Sequence, residues 1–202
     1  MAHVLYGFSG SGNCYKIELL LHQLNIDFRW QEIDISRGES RTAEFLVHYP
    51  NGKVPVLELP GGEVITESNA ALCHLAEGTS FIPPPGLART HVLEWLFFEQ
   101  YSHEPYIAVL RAVRGFGLYP LNEERQQECE SKGYRALDIL ERRLEKDRFL
   151  AGEEYTVADI ALFAYTDVAE EGGFAMHRYP AINGWLAAIK STPGFFPMPT
   201  RH

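Results

Sequence analysis

Apolar positions along the chain follow one pattern up to about residue 80 and a different pattern beyond it. The first part opens with Val4-Leu5-Tyr6-Gly7-Phe8, a run of strand formers that ends at the chain-breaking sequence Ser9-Gly10-Ser11-Gly12. Apolar residues then recur at the i, i+3, i+4 and i+7 positions of a helix, namely Ile17, Leu20, Leu21 and Leu24. The pattern predicts a strand, a glycine-rich junction and an amphipathic helix.

The rest of the first part predicts three more strands and two more helices. They are a strand over 28–35, a short helix over 42–47 ended by Tyr49-Pro50-Asn51-Gly52, a hairpin of strands over 54–59 and 63–65, and a helix from residue 67. The order β-α-β-α-β-β-α describes an α/β sandwich that contains one parallel βαβ unit and one hairpin.

Strand patterns are absent from the second part, which predicts an all-α helical bundle. Residues 79–87 contain Pro83-Pro84-Pro85, which cannot continue a helix and predict a stiff linker. The helices predicted after it cover 88–114 with a kink at Pro105, 123–146, 156–171 and 181–190. The expected domains are therefore residues 1–78 and residues 88–202.

Composition narrows the function classes without indicating a chemistry. The formal charge of −9 argues against binding to nucleic acid or to an anionic membrane. No apolar run approaches the roughly 20 residues of a membrane helix, and the first residues lack the features of a secretion signal. The cysteines, Cys14, Cys73 and Cys129, are few and lack metal-site spacing, which predicts a reducing cytosol and no metal.

The first candidate for chemistry is Ser11-Gly12-Asn13-Cys14, at the junction of strand and helix. The first turn of a helix presents unpaired N–H groups and the positive end of its dipole, which favour an anion such as a thiolate. The Ser11 hydroxyl and the Asn13 amide can donate to that anion. The alternative is that either residue simply caps the helix.

Two further segments suit a peptide-like ligand. If the Val54-Pro55 bond is cis, the backbone of Val54 turns outward and can pair with an extended ligand; the alternative is a trans proline at a strand end. Ser68, at the start of a helix, can seat a carboxylate, and Glu67 can hold an ammonium group; the alternative is an acidic helix start with a cap. Together the three segments describe one ligand, with a thiol at Ser11, a peptide-like middle and an amino-acid head. That ligand is glutathione.

These motifs resemble those of the cytosolic glutathione transferases over essentially the whole chain. Val54-Pro55 matches the family's cis-proline, Glu67-Ser68 matches its γ-glutamyl-binding pair, and Thr156-Val157-Ala158-Asp159 matches the capping box of its helical domain. The resemblance implies a thioredoxin-like glutathione-binding domain over 1–78 and a helical domain over 88–202 that contributes the electrophile pocket. It also implies a cytoplasmic, homodimeric detoxification enzyme. In such an enzyme Lys53 reaches the glycine carboxylate of glutathione; the alternative is that Lys53 is an exposed turn residue that only contributes to solubility.

The first helix indicates a serine-type enzyme. Ser11 stands where glutaredoxins carry their nucleophilic cysteine, and Ser11 with Asn13 is similar to both the zeta-type and the nu-type patterns. Zeta-type enzymes carry a cysteine where this chain has Asn13, which weakens the case for maleylacetoacetate isomerisation. The resemblance implies that Ser11 and Asn13 stabilise the thiolate of glutathione. Cys14 is expected to be buried, and Lys16 is taken as a solvent-facing residue.

Three functions are consistent with this reading. The leading hypothesis is transfer of glutathione to a small hydrophobic electrophile. The second is glutathione-dependent reduction of a disulfide or a peroxide, which the pair Ser11 and Asn13 also supports. The third is a non-catalytic ligand-binding protein, which ranks last because the chain keeps both the Glu67-Ser68 pair and the first-helix hydroxyl.

Overall fold

The predicted sheet is present in the structure, which is a computed structural model that describes residues 2–199. Met1 and residues 200–202, which the predicted domains include, lie outside the described residues. The described chain divides into two units, one formed by residues 2–77 and 193–199 and the other by residues 78–192. The first unit is α/β and the second is all-α, so the predicted fold class is confirmed.

The first unit has the predicted element order. Its strands are β1 (His3–Gly7), β2 (Phe28–Glu32), β3 (Val56–Glu58) and β4 (Val64–Ile65), and its helices are α1 (Gly12–Gln23), α2 (Ala43–His48) and α3 (Ser68–Ala76). The strands lie in the order β2-β1-β3-β4. The β1–β2 pair is parallel, whereas β3 pairs antiparallel with both β1 and β4. This is a thioredoxin-like sheet.

Strand alternation separates the two faces of this sheet. Leu5 lies directly opposite Leu57, and both are fully buried on the face that α1 covers. Tyr6 and Gln31 are also opposite each other, but on the other face, where both are accessible to solvent. The helices α1 and α3 pack against each other, so their first turns lie side by side.

The second unit contains α4 (Leu87–Phe98), α5 (Glu104–Arg114), α6 (Glu123–Leu144), α7 (Val157–Thr166) and α8 (Pro180–Lys190). The helix predicted over 88–114 is therefore interrupted. A π-helical turn over Glu99–His103 separates α4 from α5, and Pro105 occupies the first turn of α5. A proline is tolerated there because the first N–H groups of a helix have no intrahelical partner.

The helix predicted over 156–171 is shorter than expected. The helix α7 ends at Thr166, and a 3₁₀ turn over Ala169–Gly172 follows it. A Cβ atom on Gly172 would lie 3.1 Å from the backbone nitrogen of Arg111 on α5. The chain therefore leaves the helical path where it comes into close contact with α5.

Two segments belong to different units from those expected. Part of the predicted linker packs into the helical unit, where Ile82 is buried and the carbonyl of Phe81 accepts a 2.9 Å hydrogen bond from the N–H of Val157. Residues 193–199 were expected in the helical domain, but they pack on α1 of the first unit. The hydroxyl of Tyr15 donates to the carbonyl of Phe196 over 2.7 Å, and the two rings are in contact.

The predicted capping box at the start of α7 is present. The carboxylate of Asp159 is fully buried and accepts four hydrogen bonds. Their donors are the N–H groups of Leu150 and Thr156, the indole N–H of Trp185, each at 2.9 Å, and the Thr156 hydroxyl at 3.2 Å. Burial raises the pKa of Asp159 to about 6, and the hydrogen bonds oppose this shift.

The substitution Asp159→Asn is expected to lower the free energy of unfolding by roughly 2–3 kcal/mol at neutral pH. Both carboxylate oxygens only accept hydrogen bonds, and an amide replaces one of them with a donor that faces N–H groups. The measurement is urea unfolding followed by circular dichroism. The control is Glu154→Gln, an exposed position near the same loop, and an equal effect of the two substitutions would contradict the prediction.

Candidate active site

The loop between β1 and α1 is held by a carboxylate from the neighbouring strand. Glu32, at the end of β2, accepts from the N–H of Ser9 at 2.8 Å and from its hydroxyl at 2.6 Å. The indole N–H of Trp30 donates to the same carboxylate at 2.7 Å. This clamp fixes the backbone that leads to Ser11, and sequence reasoning missed it because Glu32 was part of a simple strand alternation.

Ser11 is the N-cap of α1, as the capping alternative predicted. Its backbone is extended, and its hydroxyl oxygen accepts from the N–H of Cys14 over 3.4 Å. The first turn of α1 contains no acidic residue of its own, although the carboxylate of Glu32 lies close by, hydrogen-bonded to Ser9. Because Ser11 accepts in the capping bond, that bond does not use the hydroxyl proton. Capping and donation to a thiolate are therefore compatible.

Cys14 is fully buried, as expected, and it is not poised to act as a nucleophile. Its sulfur accepts from the N–H of Phe8 over 3.4 Å. Burial raises the pKa of the Cys14 thiol to about 12. Since the thiolate is the reactive form, this cysteine is almost entirely the unreactive thiol at neutral pH.

The structure brings Asn13 together with Ser68. The hydroxyl of Ser68, the first residue of α3, lies 3.2 Å from Oδ1 of Asn13. The ammonium group of Lys16 also donates to this oxygen, at 2.7 Å, and lies 3.5 Å from Oδ1 of Asn69. Lys16 is 0 % exposed, so the expectation that it faces solvent is wrong. The first turns of α1 and α3 are joined through one amide oxygen.

The other residue of the predicted carboxylate seat has a different environment. Glu67 is the N-cap of α3, but its side chain makes no capping hydrogen bond and is exposed. Ser68 is only 5 % exposed. The pair therefore combines an exposed carboxylate with a buried hydroxyl beside the N–H groups that begin α3.

The third predicted segment lies at the start of β3. The Val54-Pro55 peptide bond is cis, as expected. Lys53 is exposed, Val54 is half-buried and Pro55 is buried. Because β3 runs antiparallel to β1, its start lies beside the end of β1, from which the loop to Ser11 departs.

A separate cavity lies on the other face of the sheet. It has a volume of about 820 Å³ and lies between the sheet and the segment over 39–49. Tyr6 lines it and donates a 2.9 Å hydrogen bond to Glu58. Burial and that hydrogen bond raise the pKa of Tyr6, so its hydroxyl group is less acidic than that of an ordinary tyrosine. None of the residues predicted to bind glutathione lines the cavity.

Residues 2–199 contain neither a candidate membrane-spanning helix nor a candidate metal-binding cluster. No helix in this part of the chain is long and apolar enough to cross a membrane. The same residues contain no group of three or more histidine, cysteine, aspartate or glutamate side chains placed to hold a metal ion.

Comparison with known proteins agrees with this fold. The family model described as glutathione S-transferase, N-terminal domain, matches residues 10–77, and the model for the C-terminal domain matches residues 95–193. The chain belongs to the glutathione S-transferase family, and it is a glutathione S-transferase enzyme.

Individual relatives cover nearly the full length of the chain. A crystal structure of a glutathione S-transferase from Pseudomonas fluorescens Pf-5 is 49% identical, with a TM-score of 0.92 and coverage of 98% of this chain and 99% of that one. The disulfide-bond oxidoreductase YfcG of Escherichia coli strain K12 is 30% identical, over 92% of this chain and 89% of the relative. Glutathione S-transferase 3 of Zea mays is 28% identical, over 95% and 90%.

We expect iodoacetamide to label Cys73 in the native protein and to leave Cys14 and Cys129 unmodified. Cys73 is half-exposed whereas the other two are buried, and burial raises the pKa of the Cys14 thiol, which further lowers the fraction of reactive thiolate. Peptide mass mapping measures the labelling, and labelling in urea is the control that all three sites can react. Rapid native labelling of Cys14 would show that its burial is incomplete.

Proposed function

We propose that this enzyme binds glutathione at the first turns of α1 and α3 and activates it as a thiolate. The observation that carries the proposal is the 3.2 Å contact between Ser68 and Asn13, which joins two helix N-termini at one place. Helix N-termini are suited to anions because their N–H groups are unpaired and their dipoles are positive there. Glutathione carries a thiolate and two carboxylates, so one anionic group could bind at the N-terminus of each helix.

Each part of glutathione has a proposed partner. The thiolate lies at Ser11 and Asn13, and the peptide backbone of the ligand pairs with Val54 beside Pro55. The γ-glutamyl carboxylate lies at Ser68 and the first N–H groups of α3, and its ammonium group pairs with Glu67. Lys53, an exposed cation next to Val54, is the proposed partner of the glycine carboxylate.

The proposed catalysis is electrostatic and positional. The Ser11 hydroxyl donates its proton in a hydrogen bond to the glutathione sulfur, and the α1 N-terminus stabilises the negative charge. The thiolate then forms a bond to an electrophilic carbon with its electron pair, and the leaving group departs with the pair of the broken bond. The substrate proposed for this step is a small hydrophobic electrophile, which the enzyme holds close to the sulfur.

Reduction of a disulfide is the second candidate, because the similar protein YfcG is named a disulfide-bond oxidoreductase. The pair of Ser11 and Asn13, which has a nu-like spacing, favours the same reading. In that reaction the glutathione thiolate attacks a sulfur instead of a carbon. Cytoplasmic location, a homodimer and an electrophile pocket in the helical unit stay predictions from the family resemblance.

The substitution Ser11→Ala is expected to raise the apparent pKa of bound glutathione by about one to two units. It removes the donor to the thiolate while leaving the rest of the helix start in place. Ultraviolet difference absorbance of the thiolate, recorded while glutathione is titrated at several pH values, measures this shift. Ser11→Thr is the matched control, since it keeps both a hydroxyl and a capping side chain. Full thiolate absorbance in the alanine variant would remove Ser11 from the mechanism.

We expect conjugation of glutathione to an aryl halide to exceed reduction of bis(2-hydroxyethyl) disulfide in kcat/KM, because a small hydrophobic electrophile is the proposed substrate. Initial rates of both reactions, measured on one preparation, decide the comparison. Ser11→Ala should lower both rates, because both begin with the same thiolate. Faster disulfide reduction with little conjugation would establish the second candidate instead.

A further inference from the structure

Lys16 is among the largest fully buried side chains of the described residues, although lysine is normally exposed. We propose that it is a positioning residue of the glutathione site, which orients the Asn13 amide and adds a positive charge beside the bound thiolate. The inference rests on the proposed function, because it concerns the same first turns of α1 and α3.

The contacts of Lys16 link it directly to the proposed site. Asn13 and Lys16 are three residues apart on α1 and therefore share one side of the helix. The ammonium nitrogen lies 2.7 Å from Oδ1 of Asn13, a short charge-assisted hydrogen bond. It also reaches across to α3, where Oδ1 of Asn69 is 3.5 Å away.

These contacts decide which end of the Asn13 amide faces α3. An ammonium group only donates hydrogen bonds, so the atom that faces it must be the amide oxygen. The Ser68 hydroxyl then donates to the same oxygen at 3.2 Å. The NH₂ group of Asn13 therefore points away from Lys16 and Ser68. Without Lys16, only the Ser68 hydroxyl would face the amide. Because a hydroxyl can either donate or accept, it would pair equally well with the oxygen or with the NH₂ group and would not fix the orientation.

Burial of the Lys16 charge has an energetic cost. Burying an ammonium group carries a desolvation cost, and an apolar side chain of similar size would fill the space between the helices without that cost. The first turns of α1 and α3 contain no acidic residue, although Glu67 is the N-cap of α3. The charge of Lys16 has the same sign as the dipole at both of these helix ends. A thiolate bound at these turns would be stabilised by this field.

The experiment titrates the thiolate absorbance of bound glutathione against pH in the wild type and in Lys16→Met. Methionine keeps the length and apolar packing of the side chain but removes the charge and the donor. Lys146→Met is the control for loss of one positive charge, because Lys146 is exposed and lies in the helical unit. The ionisable groups near the first turn of α1 include Cys14, Glu18 and Glu32, and all variants keep them.

We expect Lys16→Met to raise the apparent pKa of the bound thiol by about one unit, and Lys146→Met to leave it unchanged. Binding of S-methylglutathione, which has no thiol to ionise, should weaken by less than about threefold. In an Asn13→Ala background the effect of Lys16→Met should fall by at least about half, because part of it acts through the amide. A packing role alone would alter stability without moving the thiol pKa.

The outcomes separate this inference from the proposed function. If the wild type shows no bound thiolate, the proposed function and the role of Lys16 are both wrong. If the wild type shows the thiolate and Lys16→Met has the same thiol pKa, only the role of Lys16 is overturned. Should Lys16→Met fail to fold, Lys16→Gln replaces it, since glutamine keeps a neutral donor. An unchanged pKa in that variant also overturns the inference.

Discussion

The oxygen of one side-chain amide holds the proposed site together. Oδ1 of Asn13 accepts from Lys16 on its own helix and from Ser68 on α3, so the two helix N-termini are joined through it. Both donors are buried, where water competes poorly for these hydrogen bonds. The sheet places α1 and α3 on the same face, and the amide then aligns their first turns. A ligand with two anionic groups therefore meets two positive helix ends in fixed positions.

The same arrangement explains why the thiol is best supplied by the ligand. Ser11 occupies the cap of α1, and its hydroxyl oxygen accepts the N–H of Cys14. The thiol of Cys14 is buried, and burial raises its pKa to about 12. The first turn thus offers hydrogen-bond donors and positive potential but no reactive sulfur of its own. Glutathione, the proposed ligand, would bring the sulfur for this turn to stabilise.

Much of this was predictable from the sequence because it depends on local rules. The run of strand formers predicted β1, the junction after β1 indicated a cap at Ser11, and the capping box ending at Asp159 was recognised from its motif. The burial of Lys16 was not predictable in this way. Its spacing from Asn13 places both on one side of α1, but only tertiary packing shows that α3 covers that side. The clamp by Glu32 and the position of residues 193–199 depend on long-range contacts for the same reason.

The two candidate reactions differ only after their shared first step. Conjugation ends when the thiolate forms its bond to carbon. Reduction of a disulfide RSSR consumes two glutathione molecules and gives two RSH and one glutathione disulfide, because the second glutathione thiolate must attack the mixed disulfide. Cys14 cannot replace that second thiol while it is buried and protonated. The proposed roles of Ser11, Asn13 and Lys16 suit either reaction, because both begin with the same thiolate. The choice between the reactions would depend on whether the space beside the sulfur admits an electrophile or a second glutathione.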